Sequence, residues 1–303
     1  MKATREAYGE ALAEFGTKYD FVVLDADLSK STKTSTFKKA FPDRFVNCGI
    51  AEGNMMGIAA GIAATGRPAF ASTFAMFATG RAYDAVRNGI AYPHLNVKIC
   101  ASHAGISVGE DGATHQCLED LALMRVIPGM IVCCPADAAS TRAAVEAAIL
   151  HDGPVYIRLG RLDVPDIYEA DAPFEFDRGN VLCDGDDLAI VTCGLTVSES
   201  LGAAKLLSER GISAAVIDMH TIKPLDTKLL TEYAKKTGRI VTVEEHSIIG
   251  GLGSAVCEAL AILCPVPVTR IGINDVFGQS GSAKALIDIY KLTAQGIADK
   301  IME

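Results

Sequence analysis

Six short, almost continuously apolar runs punctuate the first half of the chain: Phe21–Asp25, Phe45–Cys48, Pro68–Ser72, Val97–Ala101, Met130–Cys134 and Val155–Leu159. Between most of them lie segments with apolar residues at helical spacing, such as Gly53–Ala64, Tyr83–Tyr92 and Ala138–Leu150. A strand exposed on one face would alternate apolar and polar positions. Runs that are apolar throughout are what parallel strands need when helices cover both faces. The pattern therefore predicts β-α units around a mostly parallel sheet.

The rhythm breaks at residues 163–180, which carry two prolines and several acids with no clear period, and this stretch reads as a linker. Strand-like runs then resume at Leu188–Thr192, Ala214–Asp218, Ile240–Glu244 and Val268–Ile271, with helical patterns near 196–210, 226–237, 252–263 and 284–302. The expected organisation is two α/β domains, 1–162 and 181–303, each a mostly parallel sheet with helices on both faces. There is no internal repeat and no low-complexity segment. The N-terminal MKATREAYGEALAEFG reads as an amphipathic helix containing acids, not as a signal peptide.

Composition narrows the function classes. Half the residues are hydrophobic, which argues against disorder. The net charge of −9 argues against nucleic acid, whose phosphates need a basic surface. It leaves room for an anionic small substrate, because a few arginines in a cleft reverse the local field. No apolar run approaches the roughly 20 residues of a membrane span. The nine cysteines include no C-x-x-C pair, and several sit in apolar runs as small buried hydrophobes would. A reducing, cytoplasmic setting is expected rather than a disulfide scaffold.

Ligands of open parallel sheets lie beyond the carboxyl ends of the strands. The polar segments there are Asp25–Thr32, Gly49–Asn54, Ser72–Phe77, Ser102–Gln116 and Gly160–Arg161, all in the first domain. Ser102–Gln116 is the richest, with two histidines, adjacent acids and three glycines; histidines can shuttle protons near neutral pH. A plain polar surface loop would also collect such residues. Glu52 opens a helix, where an acid can simply complement the helix dipole. Phe74 and Phe77 have the spacing of ordinary core residues. Arg158 and Arg161 follow a strand and could hold phosphate through bidentate bonds, or could be surface arginines. Gly250-Gly-Leu-Gly253 begins like a dinucleotide fingerprint but has Val256 where the third glycine belongs.

Taken together, GIAEGNMMGIAAG (49–61), STFAMF (72–77), SHAGISVGEDGATHQ (102–116) and VIDMHTIKPLD (216–226) resemble the pyrimidine-binding and C-terminal domains of transketolases, over essentially the whole chain. The resemblance implies a thiamine diphosphate enzyme that transfers a two-carbon ketol unit from a ketose phosphate to an aldose. It implies that Glu52 bonds N1′ of the cofactor pyrimidine, that Phe77 stacks on that ring with Phe74 beside it, and that Asp27 lies near the thiazolium. His103 and His115 would assist proton transfer at the sugar. Asp111 would meet an acceptor hydroxyl, and Arg5, Ser31 and Arg161 would join His103 in holding the substrate phosphate. Gly80 stands where the family often has a further aromatic, which leaves Tyr83 as a candidate to fill the pocket.

A whole transketolase also has a pyrophosphate-binding domain whose Gly-Asp-Gly motif and asparagine hold a divalent ion. Here there is only Cys183-Asp-Gly-Asp186, which is not that motif. The resemblance therefore implies a split enzyme in which a separate N-terminal subunit holds Mg2+ or Ca2+ and the pyrophosphate, in an α2β2 assembly. The C-terminal half of a deoxyxylulose-phosphate synthase, the β subunit of a 2-oxoacid dehydrogenase and a non-catalytic subunit are the alternatives.

Overall fold

A computed structural model describes residues 1–303. In chain order the strands are β1 (Lys2–Ala3), β2 (Val22–Asp25), β3 (Phe45–Asn47), β4 (Ala69–Phe74), β5 (Val97–Ser102), β6 (Ile131–Cys133), β7 (Val155–Arg158) and β8 (Asp163–Val164). They continue with β9 (Asn180–Cys183), β10 (Leu188–Thr192), β11 (Ala214–Asp218), β12 (Thr221–Lys223), β13 (Ile240–Ser247) and β14 (Val268–Ile273). One seven-stranded sheet has the order β12-β6-β7-β5-β4-β2-β3, and one five-stranded sheet has the order β14-β13-β10-β11-β9. Inside both sheets neighbours run parallel; the antiparallel pairs, β12 with β6 and β9 with β11, sit at the edges. Strands β2, β4, β5, β10 and β11 are buried at every position, in keeping with their largely apolar sequence.

Every strand the pattern predicts is present, displaced by no more than a few residues at its ends. The unpredicted ones, β1, β8, β9 and β12, lack a continuous apolar run of their own and form because a distant partner is available. Thr221–Lys223 follows the second sheet's β11 in the chain yet pairs with Ile131–Cys133 at the edge of the first sheet. The stretch read as a linker is anchored rather than loose. Asp163 and Val164 pair with Ala3 and Lys2, and Asn180 opens β9. Between them, Asp137 accepts the Ile167 and Tyr168 N–H groups at 2.7 and 2.8 Å, while its other oxygen caps the helix Ala138–Leu150 through the Ser140 N–H at 2.8 Å. Tyr168 Oη in turn donates to Asp218 at 2.8 Å. The helix expected over 284–302 is two, Ala283–Ile289 and Ala294–Met302, divided by Lys291 at φ 59° and a Thr293 cap.

The two sheets share a core. One continuous apolar cluster runs from Leu24, Met55 and Ile99 to Val191, Ile217 and Leu230. A buried polar knot lies at the same junction. Arg158, at the end of β7, donates from Nε to Asp120 at 2.8 Å, and the Tyr156 hydroxyl donates to the same carboxylate oxygen at 2.8 Å. Arg158 Nη2 reaches the Glu245 backbone carbonyl on β13 at 2.8 Å. Removing one member of a buried ion pair strands the other charge, which typically costs about 3–5 kcal/mol. Asp120→Ala is expected to lose a stability of that order in urea unfolding, and Asp120→Leu with Arg158→Met is expected to recover most of it.

Candidate active site

Because β2, β4 and β5 run parallel and adjacent, their carboxyl ends place Asp25, Phe74 and Ser102 along one edge. Glu52, the first residue of the helix Glu52–Ala64, is only 3% exposed. Its Oε1 accepts from Arg81 Nη1 at 2.9 Å, and the Arg81 guanidinium lies 4.5 Å from the Phe77 ring centroid. Glu52, Arg81 and Phe77 therefore form one contiguous surface. Phe77 stacks at 5.8 Å on Phe74, which stacks at 3.8 Å on His103. His115 presents its edge to Phe77 at 5.5 Å and to Phe74 at 6.4 Å. The sequence-predicted carboxylate, both phenylalanines and both histidines thus line one continuous wall.

His103 follows β5 at φ 57°, a left-handed conformation that non-glycine residues rarely adopt outside constrained sites. Its Nδ1 lies 2.9 Å from Ser102 Oγ and its Nε2 3.4 Å from Arg5 Nη1. A guanidinium only donates, so Nε2 carries the lone pair and Nδ1 the proton. Burial, then the charges of Arg5 and Arg161 and the nearby His115, lower its pKa to about 3. His103 is a neutral imidazole across the physiological range.

Arg5 is fixed despite its place near the chain end. The β1–β8 pairing precedes it, and Gly160 N–H donates to Thr4 Oγ1 at 2.8 Å. Its Nη1 also donates to the Ser31 backbone carbonyl at 2.9 Å, so Ser31 contributes main chain to this contact. Arg161 donates to the Val108 carbonyl and lies 3.6 Å from Glu110 and 4.0 Å from Asp111. Arg5, Ser107, Val108, Glu110, Arg161 and Asp163 help line a cleft of about 370 Å³. Asp111 is exposed on the rim of the loop. Asp27 stands apart from the aromatic wall: it is exposed, at φ 65°, and bonded to Asn47 Nδ2 at 3.0 Å.

Three positions that the sequence left open find other partners. Arg158 holds no ligand: it is 6% exposed and committed to Asp120 and Glu245. Gly250–Gly253 is no phosphate cradle, because the Glu244 carboxylate already takes the Leu252 and Gly253 N–H groups at 2.7 and 2.8 Å. That carboxylate sits where an anion would bind a helix N-terminus. Tyr83 packs against the core, and the side chain over Phe77 is Arg81. Arg81 escaped the sequence reading. Irregular i→i+5 bonds, such as Ala82 N–H to the Phe77 carbonyl at 3.1 Å, set its direction, and neither local pattern nor spacing reveals them. A buried carboxyl beside an aromatic platform suits a flat heterocycle with a ring nitrogen facing the acid. No three His, Cys, Asp or Glu side chains converge as a metal site would require.

A family model for the transketolase pyrimidine-binding domain matches residues 1–166, and one for the transketolase C-terminal domain matches 177–297. A protein of Methanocaldococcus jannaschii, described only as a transketolase C-terminal section, is 52% identical over 100% of this chain and 96% of its own length. The single-chain transketolase of Homo sapiens is 40% identical over 99% of this chain but only 48% of its own length. A solved structure titled as a split-gene transketolase in an inactive β4 tetramer superposes with a TM-score of 0.94 at 56% identity, covering 100% of this chain and 98% of that one. The chain belongs to the transketolase family of thiamine diphosphate-dependent transferases and spans its pyrimidine-binding and C-terminal domains.

Proposed function

We propose that this chain is the C-terminal subunit of a split transketolase, acting with a separate N-terminal subunit on sugar phosphates in the cytoplasm. The observation that carries the reading is the buried Glu52 carboxylate beside Phe77, on the same wall as Phe74, His103 and His115. When bound, thiamine diphosphate supplies the nucleophilic carbon that such a transfer needs. Glu52 holds and exchanges a proton at N1′ of the pyrimidine, and Phe77 packs against the ring. Arg81 shares both of those surfaces; its side chain is 56% exposed and can leave without disturbing the core. Asp27 is assigned to the thiazolium on the family resemblance alone.

His103 and His115 exchange protons with the hydroxyl and carbonyl oxygens of the sugar. His103 is neutral and, with its lowered pKa, a weak base, so it takes a hydrogen bond from the hydroxyl and passes the proton on rather than keeping it. Asp111 receives an acceptor hydroxyl. Arg5 and Arg161 hold the phosphate, with the Arg5 guanidinium aimed by the Ser31 carbonyl and by His103 Nε2.

The chain's own acids do not supply the pyrophosphate and metal site. Asp184 and Asp186 are engaged by Lys236 at 2.6 and 3.2 Å. The partner subunit would hold Mg2+ or Ca2+ and the pyrophosphate, in an α2β2 assembly. The surface beside Glu52 supports a partner there. Ile50 is 80% exposed, and Gly53, Gly57 and Gly61 leave open space along the outer face of the next helix. No helix is long and apolar enough to cross a membrane, and all nine cysteines are free, which accords with a reducing compartment.

With the partner present, Glu52→Gln is expected to lower ketol transfer from xylulose 5-phosphate to ribose 5-phosphate by about 10²–10⁴-fold while the circular dichroism spectrum is unchanged. Carbon dioxide release from pyruvate with glyceraldehyde 3-phosphate would instead assign a decarboxylating relative. Arg161→Ala is expected to raise KM for phosphorylated acceptors by about tenfold and leave that for unphosphorylated sugars unchanged, as steady-state kinetics would read. The His103 ring is expected to show no titration between about pH 5 and 8 by NMR. Its depressed pKa has a further consequence: below the ordinary 6.5 the unfolded chain takes up a proton that the folded one refuses. Stability falls as pH drops through that range.

A further inference from the structure

The loop Ser102–Gln116 carries both histidines and does not stand on its internal hydrogen bonds alone. Gly105, Gly109 and Gly112 hold φ of 81°, 87° and 76°, so its path depends on residues without side chains. The second half of the chain grips it. Glu245, on β13, is 4% exposed, and its Oε1 accepts the Ser107 N–H at 2.5 Å. A Cβ at Gly105 would lie 2.4 Å from the carboxyl carbon of Glu245, so the loop backbone presses directly on that carboxylate. The main chain of Glu245 is held in turn by Arg158.

A second grip lies at the far end of the loop. Gln116 Nε2 donates to the Gln279 carbonyl at 2.9 Å, as well as to the Ile106 and Gly109 carbonyls at 3.3 and 3.2 Å. A Cβ at Gly112 would meet Ser280 Oγ at 2.5 Å. Glu245 has no place in the proton or phosphate chemistry assigned to this site. Burial raises its pKa, against the opposing effects of Arg158 and the Ser107 bond, so keeping an acid here is costly. An apolar side chain would fill the space more cheaply but could not hold the Ser107 N–H.

We infer that Glu245 is a positioning residue: by fixing the Ser107 main chain against the Gly105 turn, it sets the direction in which His103 and His115 face the sugar. The second domain, which presents no dense polar loop of its own, then contributes to the reaction by clamping this loop. The catalytic half of this inference rests on the transketolase reading; the clamp itself does not.

Two measurements separate the halves. In the isolated subunit, hydrogen–deuterium exchange is expected to run about tenfold or more faster at Gly105–Val108 in Glu245→Ala than in wild type, with the helix Glu52–Ala64 unchanged. In the complex with its partner, Glu245→Ala is expected to raise KM for sugar phosphates and lower kcat/KM by about tenfold or more while thiamine diphosphate affinity is unchanged. Glu245→Gln, whose amide oxygen can accept the same N–H, is expected to stay within about threefold of wild type in both. Unchanged loop exchange in Glu245→Ala overturns the clamp. Faster exchange with unchanged kcat/KM, or loss of cofactor affinity in step with kcat/KM, overturns the positioning role. If Glu245→Ala does not fold, Gly105→Ala drives a Cβ into the same carboxylate and is expected to show the same pattern; wild-type exchange and kinetics there overturn the proposal. A wild-type complex that transfers no ketol unit would sink the transketolase reading and leave the exchange measurement to decide the clamp.

Discussion

Arg158 is a buried cation, and the meeting of the two sheets is built around it. Its guanidinium joins the Asp120 carboxylate of the first domain to the Glu245 carbonyl of the second. The Tyr156 hydroxyl completes the same carboxylate. Desolvating such a pair costs several kcal/mol per ion, which good geometry and added hydrogen bonds repay only in part. A gain in stability is therefore a weak reason for the pair. Its directionality is a better one, because a fixed fork of donors sets where β13 lies relative to β7 in a way that apolar contact alone does not.

What β13 carries follows from that constraint. Glu244, Glu245 and His246 are consecutive and buried, and they face different tasks. Glu244 caps the helix Leu252–Leu263, Glu245 meets the histidine-bearing loop, and His246 Nε2 lies 3.4 Å from the Ala122 amide nitrogen of the first domain. One strand thus distributes the position set by Arg158 to a helix, a loop and a domain interface. The aromatic wall of Phe74, Phe77, His103 and His115 depends on it, since both histidines belong to the loop that Glu245 holds.

The other side of the site has a different character. Glu52 and Phe77 lie outside the knot, and the group that covers them, Arg81, is half-exposed. A planar guanidinium that bonds a carboxylate and covers an aromatic face satisfies the same two surfaces that a flat heterocycle would. The proposed sugar side is thus clamped from within the chain, whereas the proposed cofactor side is covered only by the exposed Arg81 side chain.

By itself the sequence determined what is local. Largely apolar runs specified strands buried on both faces, helical spacing marked the segments between them, and glycines marked where the Ser102–Gln116 loop must turn. The order of motifs gave the family and, with it, Glu52, Phe77, His103 and His115 as candidates. Only the tertiary structure decided what depends on distant partners. It bonded Arg158 to Asp120, 38 residues away, and so removed it from the substrate. It brought Arg81 to Glu52 across 29 residues and Glu245 to Ser107 across 138. It placed Thr221–Lys223 in the first sheet and filled the Gly250–Gly253 helix start with Glu244. A side chain's periodicity fixes the face on which it lies, whereas its partner is fixed by which far segment the fold brings within hydrogen-bond reach, and no local pattern encodes that.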